Sequence, residues 1–188
     1  MGKYKIIYAD PPWNYGNTKN PDGWWGRTEK HYPAMKLEDI KNLSVPKLCA
    51  NDCYLFLWTT SPFMEKSFEI LKAWGFKYST IPFVWVKMTN DMKKPRGDGL
   101  GKYTPSNAEY VLLGRKGKYW RDSTKIKQIV LAPKGKHSKK PKEVRDRILD
   151  LCGDLPRIEL FARNKTDGWD VWGNEVESEI TLNVCKKR

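Results

Sequence analysis

Four residues at the end of the first apolar segment carry side-chain and backbone groups that could take part in catalysis. Asp10, Pro11, Pro12 and Trp13 follow the run KYKIIYA, which is typical of a buried strand. The two prolines have no N–H to donate and they restrict the backbone, so the Pro11 carbonyl is held in one direction. The sequence therefore places a carboxylate, a fixed carbonyl and a large aromatic ring side by side.

This set of groups suits the activation of an aromatic amine. The exocyclic amino nitrogen of adenine is a poor nucleophile because its lone pair is delocalised into the ring. Two acceptors, one from Asp10 and one from the Pro11 carbonyl, would draw that nitrogen toward tetrahedral geometry, and Trp13 would offer a face for stacking. The structural alternatives are a turn carboxylate at Asp10 and a core aromatic at Trp13.

The elements around this motif predict an α/β fold with a mostly parallel central sheet and helices on both faces. Strands are predicted at KYKIIYA, CYLFLWT, FKYSTIPFVWVKM, AEYVLLG, IKQIVLA and RIELFA, the last of which is the last clear strand. Helices are predicted at KLEDIKNL, at residues 62–74 with Gly75 as the stop, and between residues 138 and 152. Open parallel sheets bind ligands at the carboxyl ends of their strands, where Asp10 and Phe161 fall.

Length and charge narrow the class of protein. A chain of 188 residues and 22.0 kDa is predicted to form one domain over residues 1–188, with no separate target-recognition domain. The net charge of +13 predicts a polyanionic partner, with improved solubility as the alternative explanation. Six basic residues against one acidic residue lie in Arg115–Lys127, and seven against two lie in Lys134–Arg147. If these two segments flank the motif, they are predicted to contact phosphates.

Several kinds of site are not predicted. The four cysteines and two histidines lack the spacing of a metal site, so no metal is expected. Nothing resembles a signal peptide or a membrane span, and the chain is expected to be a cytoplasmic protein with reduced thiols. The polar stretch from Asn14 to His31 is too long to be core and is predicted to be a lid.

An ordered set of motifs covers nearly the whole chain. It comprises DPPW, YPAMKLEDI, LFLWTTSPFM, FVWVK, SNAEYVLLGRKG, HSKKP, IELFAR and GWDVWGNEV. In these motifs and their order the sequence resembles the MT-A70 family of adenine-amino methyltransferases. The resemblance implies a Rossmann-like class I methyltransferase that uses S-adenosylmethionine and yields S-adenosylhomocysteine. It also implies that the catalytic motif precedes the cofactor motif.

The same resemblance implies roles for individual residues. The catalytic motif is matched by Asp10, Pro11, Pro12 and Trp13, and Asp10 would also lie near the methionine end of the cofactor. Target adenosine would be faced by Trp13, Tyr32 and Glu109. Packing at Tyr32 and a solvated strand position at Glu109 are the alternatives for those two residues.

Five further residues are implied in cofactor binding. Lys140 matches a lysine that contacts the cofactor carboxylate, while Phe161 and Arg163 would flank its adenosine. Asn174 and Glu175 would hold the ribose hydroxyls. These types suit their partners, since an ammonium pairs with a carboxylate and an amide with an acid can bind a vicinal diol. Glu175 stands where longer relatives have glutamine, and their upstream aspartate has no counterpart here, so a pocket more open on one side is expected.

Together these features predict methyl transfer to the 6-amino group of adenine in DNA, with the base flipped out or unpaired. DNA is favoured because the chain is a bare catalytic domain like bacterial and phage members of the family. The alternatives are an RNA acceptor and a catalytically silent nucleic-acid-binding subunit. A homodimer is a further hypothesis, motivated by the missing recognition domain.

Overall fold

The computed structural model describes residues 2–13, 34–98, 103–135 and 139–183. The strands are β1 Tyr4–Ala9, β2 Cys49–Thr59, β3 Lys77–Met88, β4 Ala108–Lys116, β5 Ile129–Pro133, β6 Arg157–Leu160 and β7 Asp170–Trp172. The helices are α1 Leu37–Lys41, α2 Met64–Ala73 and α3 Lys142–Cys152, with short 3-10 helices at Val45–Lys47 and Ser61–Phe63. The predicted lid and Tyr32 lie outside the described residues.

The described strands form one sheet in the order β5-β3-β4-β2-β1-β6-β7. Only β4 among them is antiparallel to its neighbours β2 and β3, and the remaining pairs are parallel. The prediction of a mostly parallel α/β sheet is confirmed. The carboxyl ends of six strands and the start of β4 therefore meet at one side of the sheet, which we call the carboxyl edge.

Helices cover both faces of this sheet, as predicted. On one face, Ile40 of α1 and Ile70 of α2 pack with Leu55 and Leu57 of β2. On the other face, α3 packs against the alternate residues of the same strands, including Phe56. β2 is buried on both sides because its neighbours and both helical layers enclose it, which explains its unbroken apolar run.

One strand was missed by the sequence analysis. RIELFA, the last clear strand in the sequence, is followed by β7, which pairs in parallel with β6, with Ile158 opposite Asp170 and Leu160 opposite Trp172. A segment of three residues beginning with an aspartate has no readable alternation, so only its pairing with β6 defines it as a strand. β7 matters here because it completes the carboxyl edge beside β6.

The α-helices among the described residues are too short and too polar to span a lipid bilayer.

Candidate active site

The end of β1 forms a tight turn that fixes the DPPW motif. The Trp13 N–H donates to the Pro11 carbonyl at 2.9 Å, and the Met35 N–H donates to the Pro12 carbonyl at 3.1 Å. A carbonyl oxygen has two lone pairs, so the Pro11 carbonyl keeps capacity for a second donor. The Trp13 ring stacks on Phe63 at a centroid distance of 4.9 Å, so one of its faces is already occupied.

Next to this turn, two lysines and two carboxylates alternate. The Lys140 Nζ lies 2.7 Å from Asp10 Oδ2 and 3.3 Å from Glu109 Oε2. The Lys87 Nζ lies 2.6 Å from Glu109 Oε1. We call Asp10, Glu109, Lys140 and Lys87 the charge network. Its residues come from the ends of β1 and β3, the start of β4 and the segment before α3, and all of these meet at the carboxyl edge.

Burial makes the pairing within this network strong. The Glu109 and Lys140 side chains are only 9% and 10% exposed, whereas Asp10 is 23% exposed and is therefore the network carboxylate most open to a ligand. Burial alone would lower the pKa of Lys140, but the carboxylates of Asp10 and Glu109 outweigh burial and raise it. Burial alone would raise the pKa of Glu109, but Lys140 and Lys87 hold that pKa below its usual value. Glu109 and Lys140 are therefore both charged at neutral pH.

A cavity opens on the other side of Asp10, between the ends of β6 and β7. We call it the β6–β7 cavity, and its lining is Asp10, Pro12, Met35, Phe161, Ala162, Arg163, Trp172, Gly173, Asn174 and Glu175. Phe161 meets Trp172 edge to face at a centroid distance of 5.3 Å. Phe161 also has a φ of 62°, a left-handed conformation that is costly outside glycine and is concentrated at functional sites.

A close backbone approach shapes this cavity. A Cβ at Gly173 would overlap the carbonyl oxygen of Ala162, so a glycine is needed where the chain leaving β7 lies on the chain leaving β6. The contact is reinforced by the Ala162 N–H, which donates to the Trp172 carbonyl at 3.0 Å. Asn174 and Glu175, which follow directly, are thereby brought to the rim of the cavity.

The structure brings the predicted residues into two adjacent groups. Asp10 borders both groups, Glu109 and Lys140 lie on its network side, and the remaining predicted cofactor residues line the cavity. Glu109 is buried rather than solvated. Of the two basic segments, Lys134–Arg147 starts at the carboxyl edge, whereas Arg115–Lys127 does not meet the condition of flanking the motif. That segment begins with the last two residues of β4, whose antiparallel direction sends its end to the opposite edge.

A family model for MT-A70 matches residues 4–175 of the chain, which includes every residue of both groups. The chain belongs to the MT-A70 family. Members of this family methylate the N6 amino group of adenine in DNA or RNA, and the chain is an adenine N(6)-methyltransferase by this membership.

The relatives to which the chain is similar differ in length, so the chain covers a different share of each one. It is 40% identical to the "Type II methyltransferase M.MunI" of a Mycoplasma species, over 93% of this chain and 78% of that protein. It is 28% identical to the human "N(6)-adenosine-methyltransferase catalytic subunit METTL3", over 94% of this chain but 29% of that protein. The Arabidopsis thaliana "N(6)-adenosine-methyltransferase MT-A70-like" protein is also 28% identical and is covered over 25% of its length. The chain thus spans less than a third of these two longer relatives.

Three residues beside the DPPW motif of this MT-A70 member were not predicted as site residues from the sequence. Lys87 ends the apolar run FVWVK. A charged residue at the end of a buried strand is the sequence signal that could have identified it as a site residue. Trp172 lies in the strand that was missed. Trp58 packs beneath the network, with the Lys140 ammonium 5.3 Å from its ring centroid, but its place in an apolar run made it look like ordinary core.

Proposed function

We propose that the chain is a single-domain enzyme, spanning residues 1–188, that transfers a methyl group from S-adenosylmethionine to the 6-amino group of adenine in DNA. The observation that supports this most is the position of Asp10. It borders the β6–β7 cavity on one side and the charge network on the other. A methyl donor bound in the β6–β7 cavity and an adenine amine bound at the charge network would then lie on either side of the Asp10 carboxylate.

The β6–β7 cavity has side chains that fit S-adenosylmethionine. The Asp10 carboxylate suits an ammonium group, the Phe161 ring suits an adenine face, and Asn174 with Glu175 suits the two ribose hydroxyls. Lys140 is proposed to serve the cofactor carboxylate from its place beside Asp10, and Arg163 lies at the same cavity wall. When bound, the cofactor would supply an electrophilic methyl group on its sulfonium, and S-adenosylhomocysteine would be the product.

The chain's own residues would prepare the amine. Lys140 holds Asp10 Oδ2, which leaves Asp10 Oδ1 to accept one N–H of the adenine amino group. The second lone pair of the Pro11 carbonyl can accept the other N–H. Both acceptors are fixed before the base arrives, and both strengthen as positive charge develops on the nitrogen. Direct transfer needs no covalent enzyme intermediate.

The acceptor base must reach this site outside a stacked duplex. Flipping one nucleotide costs a few kcal/mol, so weakly paired or unpaired adenines are favoured. Trp13 has one face on Phe63, and we propose that the remaining ring surface, with Tyr32 and Glu109, contacts the base. We favour DNA over RNA because the relative covered over most of its length is named a type II methyltransferase, a term used for DNA modification enzymes.

The experiment is direct measurement of the product. Purified protein is incubated with S-adenosylmethionine and, separately, with duplex DNA, single-stranded DNA or RNA, and each nucleic acid is digested to nucleosides. Mass spectrometry should find N(6)-methyladenine in DNA. Methylation of RNA alone would reject the DNA acceptor, and no methylation of any of the three would favour a silent subunit.

A further inference from the structure

A basic surface lies at the edge of the sheet opposite the candidate active site. β4 is antiparallel to β2 and β3, so Arg115 at its end is next to Lys77 at the start of β3. We call Lys77, Arg115, Lys118, Arg121, Lys125 and Lys127 the distal basic surface. The proposed reaction uses none of these residues.

The segment between β4 and β5, which presents four of these side chains, is held firmly although it is neither helix nor strand. The Tyr54 hydroxyl donates to the Trp120 carbonyl at 2.6 Å and accepts the Trp120 N–H at 2.8 Å, and the two rings stack at 3.9 Å. The Lys118 N–H donates to Asp52 Oδ1 at 2.7 Å. Arg147 donates to two carbonyls where the segment joins β5. A preorganised surface loses little entropy when it binds a ligand.

The charge of this surface is not balanced within the described residues. Lys77 and Arg115 are directly opposite each other across β3 and β4, and like charges in that position destabilise a sheet. Across the described ranges, no carboxylate lies within ion-pair distance of any of the six basic side chains. A bound anion would relieve this repulsion.

Aromatic rings accompany the charges. Tyr119 is 59% exposed and lies between Lys118 and Arg121 in sequence. A cavity beside it is lined by the stacked Tyr54 and Trp120 and by Arg121. Basic residues that alternate with exposed aromatic rings are typical of surfaces that bind nucleic acid, since phosphates and bases can both be contacted.

We propose that the distal basic surface binds the sugar–phosphate backbone of the substrate nucleic acid at a distance from the target adenine. This inference rests on the proposed function, because it takes the adenine to be bound at the carboxyl edge. Strand β4 separates Glu109 from Arg115 by six residues, about 20 Å at about 3.4 Å per residue. That length corresponds to about six base pairs. Flanking nucleic acid longer than this would reach the surface, and shorter flanks would not.

The test compares two double variants of equal charge on probes of two lengths. Lys118→Gln with Lys125→Gln changes the distal basic surface, and Lys47→Gln with Lys72→Gln removes two exposed lysines that are not among its six residues and that follow or precede core residues of the other face, Leu71 and Leu48. Labelled duplexes of about 10 and about 40 base pairs with one central A·T pair are titrated by fluorescence anisotropy, without S-adenosylmethionine. Binding is thus measured independently of methyl transfer.

We expect the Lys118/Lys125 variant to bind the long probe more weakly and the short probe like the wild type. The slope of log affinity against log salt on the long probe should become shallower by about 1.8, for two lost phosphate contacts. The control variant should match the wild type on both probes. Equal losses on both probes, equal losses in both variants or no loss at all would overturn the proposal, and none of these results depends on whether adenine is methylated.

Discussion

At the scale of single residues, Lys87 is the clearest case of a side chain that acts through another. Its ammonium touches Glu109 Oε1 and none of the proposed acceptor groups of the DPPW motif, so we regard it as a positioning residue. The groups that face Glu109 are Lys87 from β3 and Lys140 from the segment before α3, and Lys140 in turn contacts Asp10 from β1. Removing Lys87 would leave one ammonium between two carboxylates.

We predict that Lys87→Met raises the pKa of Glu109, because one of the two charges that lower it is lost. Glu109 would then take up a proton at a higher pH than in the wild type. The acidic limb of the plot of kcat/KM against pH should therefore move to higher pH. Lys87→Arg, which keeps the positive charge, should restore the wild-type limb. An unchanged limb in Lys87→Met would show that Lys87 only packs.

At the scale of elements, the ends of β6 and β7 must stay in contact to shape the β6–β7 cavity. Gly173→Ala introduces a methyl group that overlaps the Ala162 carbonyl oxygen, so the two chains must separate. We predict S-adenosylmethionine binding weaker by about tenfold or more, a loss of about 1.4 kcal/mol or more, by isothermal titration calorimetry. Gly97→Ala is the matched control because nothing lies within 4 Å of the added methyl group. Equal affinities in the two variants would disprove this role of Gly173.

The packing of α3 on the sheet includes a buried ion pair. Arg145 of α3 donates two hydrogen bonds, each 2.8 Å long, to the Glu159 carboxylate of β6. Arg145→Met leaves that carboxylate buried without a partner, so we predict a loss of about 3–5 kcal/mol in the free energy of unfolding, measured with urea. Adding Glu159→Leu should recover most of this loss. A single variant as stable as the wild type would mean that water replaces the arginine.

The sequence predicted the elements with long apolar patterns and the residues of a strong motif. β1 to β6 were recognised because each has an apolar run, and Asp10 and Phe161 were correctly placed at strand ends. β7 could not be found because three residues contain no period. The pairing of Lys87 with Glu109 depends on β3 and β4 being neighbours, and the position of Arg115–Lys127 depends on the direction of β4. Neither property is written in local sequence.

At the scale of the whole molecule, the proposed single domain should unfold and bind its cofactor as one unit. Thermal unfolding of residues 1–188 should give one transition by far-UV and near-UV circular dichroism. S-adenosylmethionine at about 100 times its Kd should stabilise the native state by about 2.7 kcal/mol, which corresponds to a Tm increase of roughly 5–10 °C. Two transitions would contradict the single domain, and an unchanged Tm would favour a silent subunit.

The central claim is that Asp10 activates the adenine amino group, and the most direct test is methyl transfer by Asp10→Asn. The amide keeps the shape of the side chain but loses the negative charge that would stabilise the developing positive charge on the nitrogen. Transfer of tritiated methyl groups from S-adenosylmethionine to DNA should fall by about 100-fold or more while urea unfolding shows that the fold is kept. Methyl transfer at the wild-type rate in this variant would contradict the account.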